Sequence, residues 1–309
     1  CGSGAFLIKA AEILLEITAE IEKSKDPDSP PDTMDSYLTT ETPKIITNNI
    51  FGVDLTREAV QITKLSLFLK TATRGTKLPN LAKNIVTGNS LIDDPNVYGS
   101  ALNWHERFPD IMNSGGFDVV IGNPPWEIVK PDRAEFFTPL KEMNILIAKE
   151  FPNKKKTFSQ LPAQTANRLI KECLDKPEIK QRYEEYEESF HRQLKFFKDS
   201  SVYSIQGGGD RQLFKLFIET ALKITKPNSM FGMVMPAGIL KDLGTKEIRQ
   251  EIFTKHAIRE FCAFVNGKPI FVGVHRQFQF STLILEKGFV STSFLAKYSE
   301  YDDDILQDF

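Results

Sequence analysis

Phe117-Asp118-Val119-Val120-Ile121-Gly122-Asn123-Pro124-Pro125-Trp126 is the stretch whose reading decides the fold. FDVVI is a near-continuous apolar run, the pattern of a central strand in a parallel sheet. It leads directly into a turn that cannot continue as strand. Two prolines lock the backbone and remove two N–H donors, which leaves the carbonyl oxygens of the turn free to accept. Asn123 adds a side-chain carbonyl. Two acceptors near one point suit an exocyclic amino group with two hydrogens. Trp126 supplies a flat face on which an extruded base can stack. The competing reading, a rigid turn with a core tryptophan, is disfavoured by the position directly after FDVVIG.

Upstream of this stretch, strands alternate with helices. Residues 5–23 carry apolar residues at helical spacing. Residues 24–44 are polar, hold four prolines, and read as a surface insertion or disordered loop. Ile45–Val53 reads as a buried strand ending in Gly52-Val53-Asp54, with Thr56 as N-cap of a helix to about Thr73. Asn84–Thr87 is a short strand leading into Gly88-Asn89-Ser90-Leu91. Downstream, residues 127–205 are polar and read as helical pieces inserted after the Pro-Pro turn. Order returns with a helix over Arg211–Lys226, a strand over Met230–Met235 and a helix over Lys246–Lys255. Ile258–Val265 and Gln277–Leu285 are further strands, with Phe271–His275 between them. Tyr298–Phe309 is acidic and reads as a frayed end. Strands separated by helices imply an α/β fold with a parallel sheet. The organisation expected is 1–126 as the first half of a core, 127–205 as insertion, 206–290 as the second half and 291–309 as a tail.

Bulk properties narrow the class. With 309 residues the chain is long enough for one large domain or a core plus a module. No apolar run is long enough for a membrane span, and the N-terminus lacks the pattern of a signal peptide. Three scattered cysteines form no CxxC pair and four histidines are dispersed, so no disulfide framework or metal site is expected, and a reducing cytoplasm fits. A net charge of −2 counts mildly against a stand-alone nucleic-acid binder, and fits a protein whose main DNA-gripping module lies elsewhere.

Four loops each follow an actual or implied strand, and in an open parallel sheet ligands bind at the carboxyl ends of strands. Cys1-Gly2-Ser3-Gly4 precedes a helix whose free N–H groups can receive a carboxylate or phosphate, or it is a structural turn. Asp54 ends an apolar strand, where a carboxylate can accept from both hydroxyls of a ribose, or it caps the following helix. Asn89-Ser90 can read the edge of an adenine ring, or it is an ordinary turn. The fourth is Asn123–Trp126. Gly207–Gly209 is followed by no Gly-Lys-Ser/Thr, which rejects a P-loop. Asp210 and Arg211 open a helix and either cap it or touch DNA backbone. Lys154-Lys155-Lys156 reads as a solvated loop or a phosphate contact, and His275-Arg276 reaches DNA or caps a hairpin.

CGSGAFL, GVDL, GNSLI and GNPPW, in this order, resemble motifs I to IV of amino-group DNA methyltransferases of the gamma group. GGGDRQLFKLFIETAL, FGMVMPAGILKD and FVNGKPIFVGVHRQFQFSTLILEK resemble the Eco57I-like, type IIG restriction–modification methylases. The resemblance spares only residues 24–44 and parts of 127–205. It implies a Rossmann-like class I S-adenosylmethionine-dependent methyltransferase sheet, with helices on both faces and a helical insertion after the NPPW turn. It implies methyl transfer from S-adenosyl-L-methionine to N6 of adenine in DNA, in a restriction–modification or phage-defence enzyme of a bacterial or archaeal cytoplasm. Gly2, Ser3 and Gly4 would line the methionine part, with Cys1 as small packing in the same loop and Phe6 nearby. Asp54 would hold the ribose hydroxyls, Leu55 would pack on the cofactor adenine, and Asn89, beside Ser90, would contact its edge; many relatives have Asp at that position. Asn123 and the Pro124 carbonyl would accept from the target amino group, Pro125 would rigidify the turn, and Trp126 would stack on the flipped base.

The chemistry implied is direct in-line attack by an amino nitrogen whose lone pair the two acceptors localise; no cysteine nucleophile is required. The substrate implied is double-stranded DNA with a flipped adenine. Relatives have strand residues before the glycine loop, often Asp-Pro, an upstream helical segment and a later target-recognition domain. The chain starts at Cys1, so the resemblance implies a catalytic core cut within its first motif. Such a piece would bind cofactor weakly, with target-recognition and nuclease functions in the parent chain. Two other chemistries share the turn. N4-cytosine enzymes often carry Ser in place of Asn123, and protein glutamine methyltransferases use Asn-Pro-Pro-Tyr in a compact fold.

Overall fold

A computed structural model describes residues 2–25, 31–71, 79–199, 201–267, 270–271 and 273–300. The acidic end from 301 onward and Cys1 lie outside the described residues.

The helical spacing over 5–23 becomes α1, Ala5–Lys25. The proline-bearing stretch after it is a helix as well: α2 runs Pro31–Asn49 with Pro43 inside it. This overturns the loop expected over 31–44 and most of the strand expected over Ile45–Val53; residues 26–30 of that expected loop lie outside the described residues. The physical reason is long-range. Ile46 and Ile50, four residues apart, are buried with Ala11 of α1 and with Val60, Leu67 and Ile85. Packing of an apolar face outweighs poor intrinsic propensity. Only Gly52–Asp54 remains as strand β1. α3, Arg57–Thr71, follows, with the Val60 N–H bonded to the Thr56 carbonyl at its start. β2 is Ile85–Thr87 and pairs parallel with β1.

Two short helices, α4 Trp104–Arg107 and α5 Pro109–Asn113, lead to β3, Phe117–Gly122. Residues 127–205 form α6 Arg133–Phe137, α7 Lys141–Glu150, α8 Ala163–Leu174 and α9 Pro177–Lys198, as the composition predicts. This insertion has its own core of Phe137, Met143, Leu169, Cys173 and Tyr183. Its exit, through Phe197 and Tyr203, packs on Leu91, Ile92 and Leu216.

α10, Leu213–Ile224, precedes β4, Thr225–Pro236. Then come α11 Lys246–Lys255, β5 His256–Val265 and β6 Gln279–Lys287. The stretch expected as tail supplies one more strand, β7, Leu295–Glu300, parallel to β5. The larger sheet has the order β3-β4-β6-β5-β7. β3 and β4 are parallel, and β6 runs antiparallel to both β4 and β5. β3 is the end strand of this sheet among the described residues, not a strand flanked on both sides, and Val119 is 60% exposed. β1 and β2 form a separate pair. One cluster holds both sheets: Val86, Leu102, Phe108, Met112 and Ile224, with Phe51, Val53, Phe117 and Val120 against them. Phe51, just before β1, meets Phe117, the first residue of β3, at 5.9 Å between ring centroids. The starts of β1 and β3 therefore meet at this cluster.

Candidate active site

The glycine loop is pinned from two directions. The Gly2 N–H donates to Asp54 Oδ2 at 2.7 Å, and the Gly2 carbonyl accepts from Thr63 Oγ1 of α3 at 3.0 Å. Gly4 has φ +86°, and a Cβ there would lie 2.9 Å from Thr63 Cγ2. Both its backbone conformation and the approach of α3 demand glycine. The Gly4 carbonyl accepts from the Ile8 N–H, which starts α1. Ser3 is exposed and Phe6 is partly exposed beside it.

Asp54 at the end of β1 takes the local role at the start of the following helix and holds the glycine loop as well. Its Oδ1 accepts from the Thr56 N–H at 2.9 Å and from Thr56 Oγ1 at 3.0 Å, a local turn that introduces α3. Its Oδ2 holds the glycine loop. Partial burial pushes its carboxyl up, but the N–H groups of Thr56 and Gly2 draw it down, and it stays below the usual carboxylate range. This half-buried carboxylate ties the glycine loop to the turn that leads into α3. Leu55 next to it is exposed.

The third loop is tied to the second. The Gly88 N–H donates to the Asp54 carbonyl at 2.8 Å. Asn89 Oδ1 accepts from the Leu91 N–H at 3.0 Å, which closes its own turn. Its backbone N–H donates to the Ser100 carbonyl. Among the described residues the amide nitrogen of Asn89 has no partner, so this side chain is set to donate. The Ser90 carbonyl accepts from Trp104 Nε1 at 3.0 Å, which seats the loop on the aromatic group of Trp104, Phe108 and Phe117.

The fourth loop leaves β3 at its carboxyl end. Asn123 and Pro125 are exposed and Pro124 is buried. Among the described residues no hydrogen bond engages the Asn123 side chain or the Pro124 carbonyl. The exit of the turn is fixed: the Leu213 N–H bonds to the Glu127 carbonyl and the Val129 N–H to the Arg211 carbonyl, which ties residues 127–129 to the start of α10. Trp126 is half-buried. Its indole stacks on Phe278 at 5.2 Å and 8°, and Phe271 meets it edge-on at 5.4 Å. Its Nε1 is buried and has no partner among the described residues.

The structure thus joins the first three loops by hydrogen bonds through Asp54, and sets the fourth on the neighbouring sheet. Sequence reasoning missed Thr63, Phe271 and Phe278, which back the glycine loop and the tryptophan. It also missed the network behind the 203–211 segment, where buried Glu219 accepts from the Ser204 N–H at 2.7 Å and Gln206 Nε2 at 2.8 Å. Arg211 is buried. Its guanidinium donates to the carbonyls of Phe197, Gly207 and Gly209. No signal in one sequence marks such long-range pairs, although FVGVHRQFQF is rich in aromatics. Among the described residues, no cluster of His, Cys, Asp and Glu could hold a metal ion, and no helix is long and apolar enough to cross a membrane.

A family model described as Eco57I restriction-modification methylase matches residues 48–160 and 181–271. The type II restriction enzyme and methyltransferase RM.Eco57I of Escherichia coli is 24% identical over 280 residues, which covers 85% of this chain and 22% of that protein. Among solved structures, the nuclease-deletion mutant of the Type ISP restriction-modification enzyme LlaGI, in complex with a DNA substrate mimic, aligns with a TM-score of 0.52 and 14% identity over 99% of this chain and 22% of its own. The ATP-dependent Type ISP enzyme LlaBIII bound to DNA aligns at 0.51 and 10% identity over 97% of this chain and 17% of its own. At these identities the likeness is one of fold. The chain spans about a fifth of the length of the curated relative it matches.

Proposed function

The chain belongs to the Eco57I restriction-modification methylase family, and from that premise we propose that it transfers a methyl group from S-adenosyl-L-methionine to the N6 amino group of adenine in DNA. The observation that carries this reading is the Asn123–Trp126 turn: two carbonyl acceptors without partners at the carboxyl end of β3, on a backbone fixed by Pro124 and Pro125.

The residues around Asp54 fit the cofactor chemically. An ionised carboxylate at the carboxyl end of a strand suits a ribose diol. Exposed Leu55 and partly exposed Phe6 give apolar surface for an adenine ring, and the donating amide of Asn89 can meet a ring nitrogen. Gly2 and Ser3 lie open next to it. The cofactor supplies an electrophilic methyl group when bound. Asn123 Oδ1 and the Pro124 carbonyl accept hydrogen bonds from the two hydrogens of the target amino group, draw the nitrogen lone pair out of the ring, and stabilise the positive charge that grows on nitrogen until one of those protons leaves to water. Trp126, braced by Phe278, stacks on the extruded base with the part of its indole left exposed. Target recognition, and any cleavage, belong to the remainder of a longer protein in this reading, as the relatives' length accords with.

The test is transfer of labelled methyl from S-adenosyl-L-methionine to unmethylated DNA by the intact protein, followed by digestion to nucleosides. Label is expected in N6-methyladenosine. Label confined to methylcytosine, or to protein, would overturn the assignment. Asn123→Ala is expected to abolish transfer while leaving cofactor affinity intact; full activity in that variant would show that Asn123 does not hold the target amino group.

A further inference from the structure

The loop after β4 holds a group that methyl transfer itself leaves unused. β3 and β4 are parallel, with Gly122 opposite Met233, so the residues beyond β4 leave the sheet at the same edge as Asn123–Trp126. A first helical turn, Ala237–Leu240, buries Ala237 and Ile239. A second, Leu243–Thr245, begins with a leucine that is 89% exposed, the most exposed large apolar side chain among the described residues.

A lone exposed leucine is ordinary on a protein surface. The backbone beneath this one is not ordinary. Lys215 of α10 is 1% exposed, and its Nζ donates to the Gly244 carbonyl at 3.1 Å. Arg249 Nη1 of α11 donates to the Asp242 carbonyl and to Thr245 Oγ1. Thr245 Oγ1 lies 2.9 Å from the carbonyls of both Ile239 and Asp242. Burying an ammonium against a backbone carbonyl is costly, and a turn free to move would need none of it. Two cations from two helices immobilise a short turn whose outermost side chain is bare and apolar. Lys241 and Lys246 are offset by Asp242 and Glu247 along this segment, and Lys241 is itself bonded to Gln279. The tip is therefore built for apolar contact, not for gripping phosphate.

Extruding a base leaves a gap in the stack, and proteins that open duplexes insert apolar side chains, leucine among them, between base steps. A wedge has to be stiff, because a yielding turn would be pushed back by the restacking bases. We propose that Leu243 is the wedge of this protein: it enters the duplex beside the target adenine and keeps the stack open while the base occupies the Asn123–Trp126 turn. This rests on the proposal that the chain methylates DNA. Lys215 and Arg249 act as positioning residues for it.

The experiment compares the intact wild-type protein with Leu243→Ala, Leu243→Met and Lys215→Met. Each receives labelled S-adenosyl-L-methionine and unmethylated plasmid DNA, either as duplex or after heat denaturation to single strands, which need no wedge. For Leu243→Ala, transfer to duplex is expected to fall about tenfold, equivalent to ~1.4 kcal/mol in the barrier, while transfer to single strands changes by less than about twofold. Leu243→Met restores the duplex rate, and Lys215→Met, which loosens the turn but keeps the leucine, shows the same duplex-selective loss. Unchanged duplex transfer by Leu243→Ala, or equal loss on both forms of DNA, overturns the wedge and leaves methylation standing; equal loss would mark Leu243 as packing against another part of the protein. Failure of the wild type to methylate either form overturns the underlying reading, and the wedge with it.

Discussion

Replacing Gly4 by Ala tests the geometry of the glycine loop at one atom. The new Cβ meets two separate penalties. The backbone sits at φ +86°, a conformation that costs an L-residue roughly 1–2 kcal/mol. The Cβ also falls 2.9 Å from Thr63 Cγ2, 3.1 Å from Thr63 Oγ1 and 3.3 Å from Thr63 Cα. Thr63 is fully buried and cannot swing away, so overpacking adds roughly 1–3 kcal/mol. The sum, about 2–5 kcal/mol, is a large share of the 5–15 kcal/mol that holds a typical domain folded. A double-mutant cycle separates the two parts. Thr63→Ala alone loses the 3.0 Å bond to the Gly2 carbonyl, worth about 0.5–1.5 kcal/mol. In the Gly4→Ala/Thr63→Ala pair the side-chain clash is gone and only the backbone penalty remains, so the double variant should be more stable than the two single losses added together, by ~1–3 kcal/mol. Urea midpoints of the four proteins give the coupling. Strict additivity would refute the contact between loop and helix, and a neutral Gly4→Ala would refute the left-handed conformation as well.

Three further outcomes follow from particular contacts. The Asp54 carboxyl is held below its ordinary value in the folded state, so its charged form stabilises the fold. That contribution is complete above the unfolded value of ~3.9 and is lost as pH falls through the lower folded value; urea midpoints should drop more steeply below about pH 4 in the wild type than in Asp54→Asn. Glu219→Ala removes the buried acceptor of the Ser204 N–H and of Gln206 Nε2 and should cost about 1–3 kcal/mol, with increased hydrogen exchange over 203–210; unchanged exchange there would dismiss the network. Ile46→Ala should cost about 2–5 kcal/mol because its side chain is buried between helices; a loss within about 0.5 kcal/mol by calorimetry, as at an exposed site, would refute that packing.

The parts of this structure legible from sequence are those set by neighbours in the chain. FDVVI followed by two prolines had to be a strand ending in a turn, and the spacing over 5–23 and 246–255 had to be helical. Ile45, Ile46 and Ile50 were ambiguous because a short apolar run satisfies both strand and helix templates. What decided between them was Ala11, Val60 and Leu67, which no local pattern reveals. The site divides the same way. Asp54 and Thr56, or Asn89 and Leu91, are two residues apart, and their turns follow local rules. Thr63 against Gly2, and Phe278 against Trp126, are brought together only by the finished fold. The end-strand position of β3 was equally out of reach, because an apolar run reports burial and not the number of its partners.

The chain has two tryptophans, and the fold has assigned them to different rooms. Trp104 donates to Ser90 under the loop where cofactor adenine is proposed to sit, and Trp126 lies against Phe278 in the turn proposed to receive the base. They are therefore native optical labels for the two ligands. With Trp104 replaced by phenylalanine, all remaining indole emission comes from the turn, and its quenching in a stopped-flow mixing experiment would time the arrival of a base with no dye or modified nucleotide added.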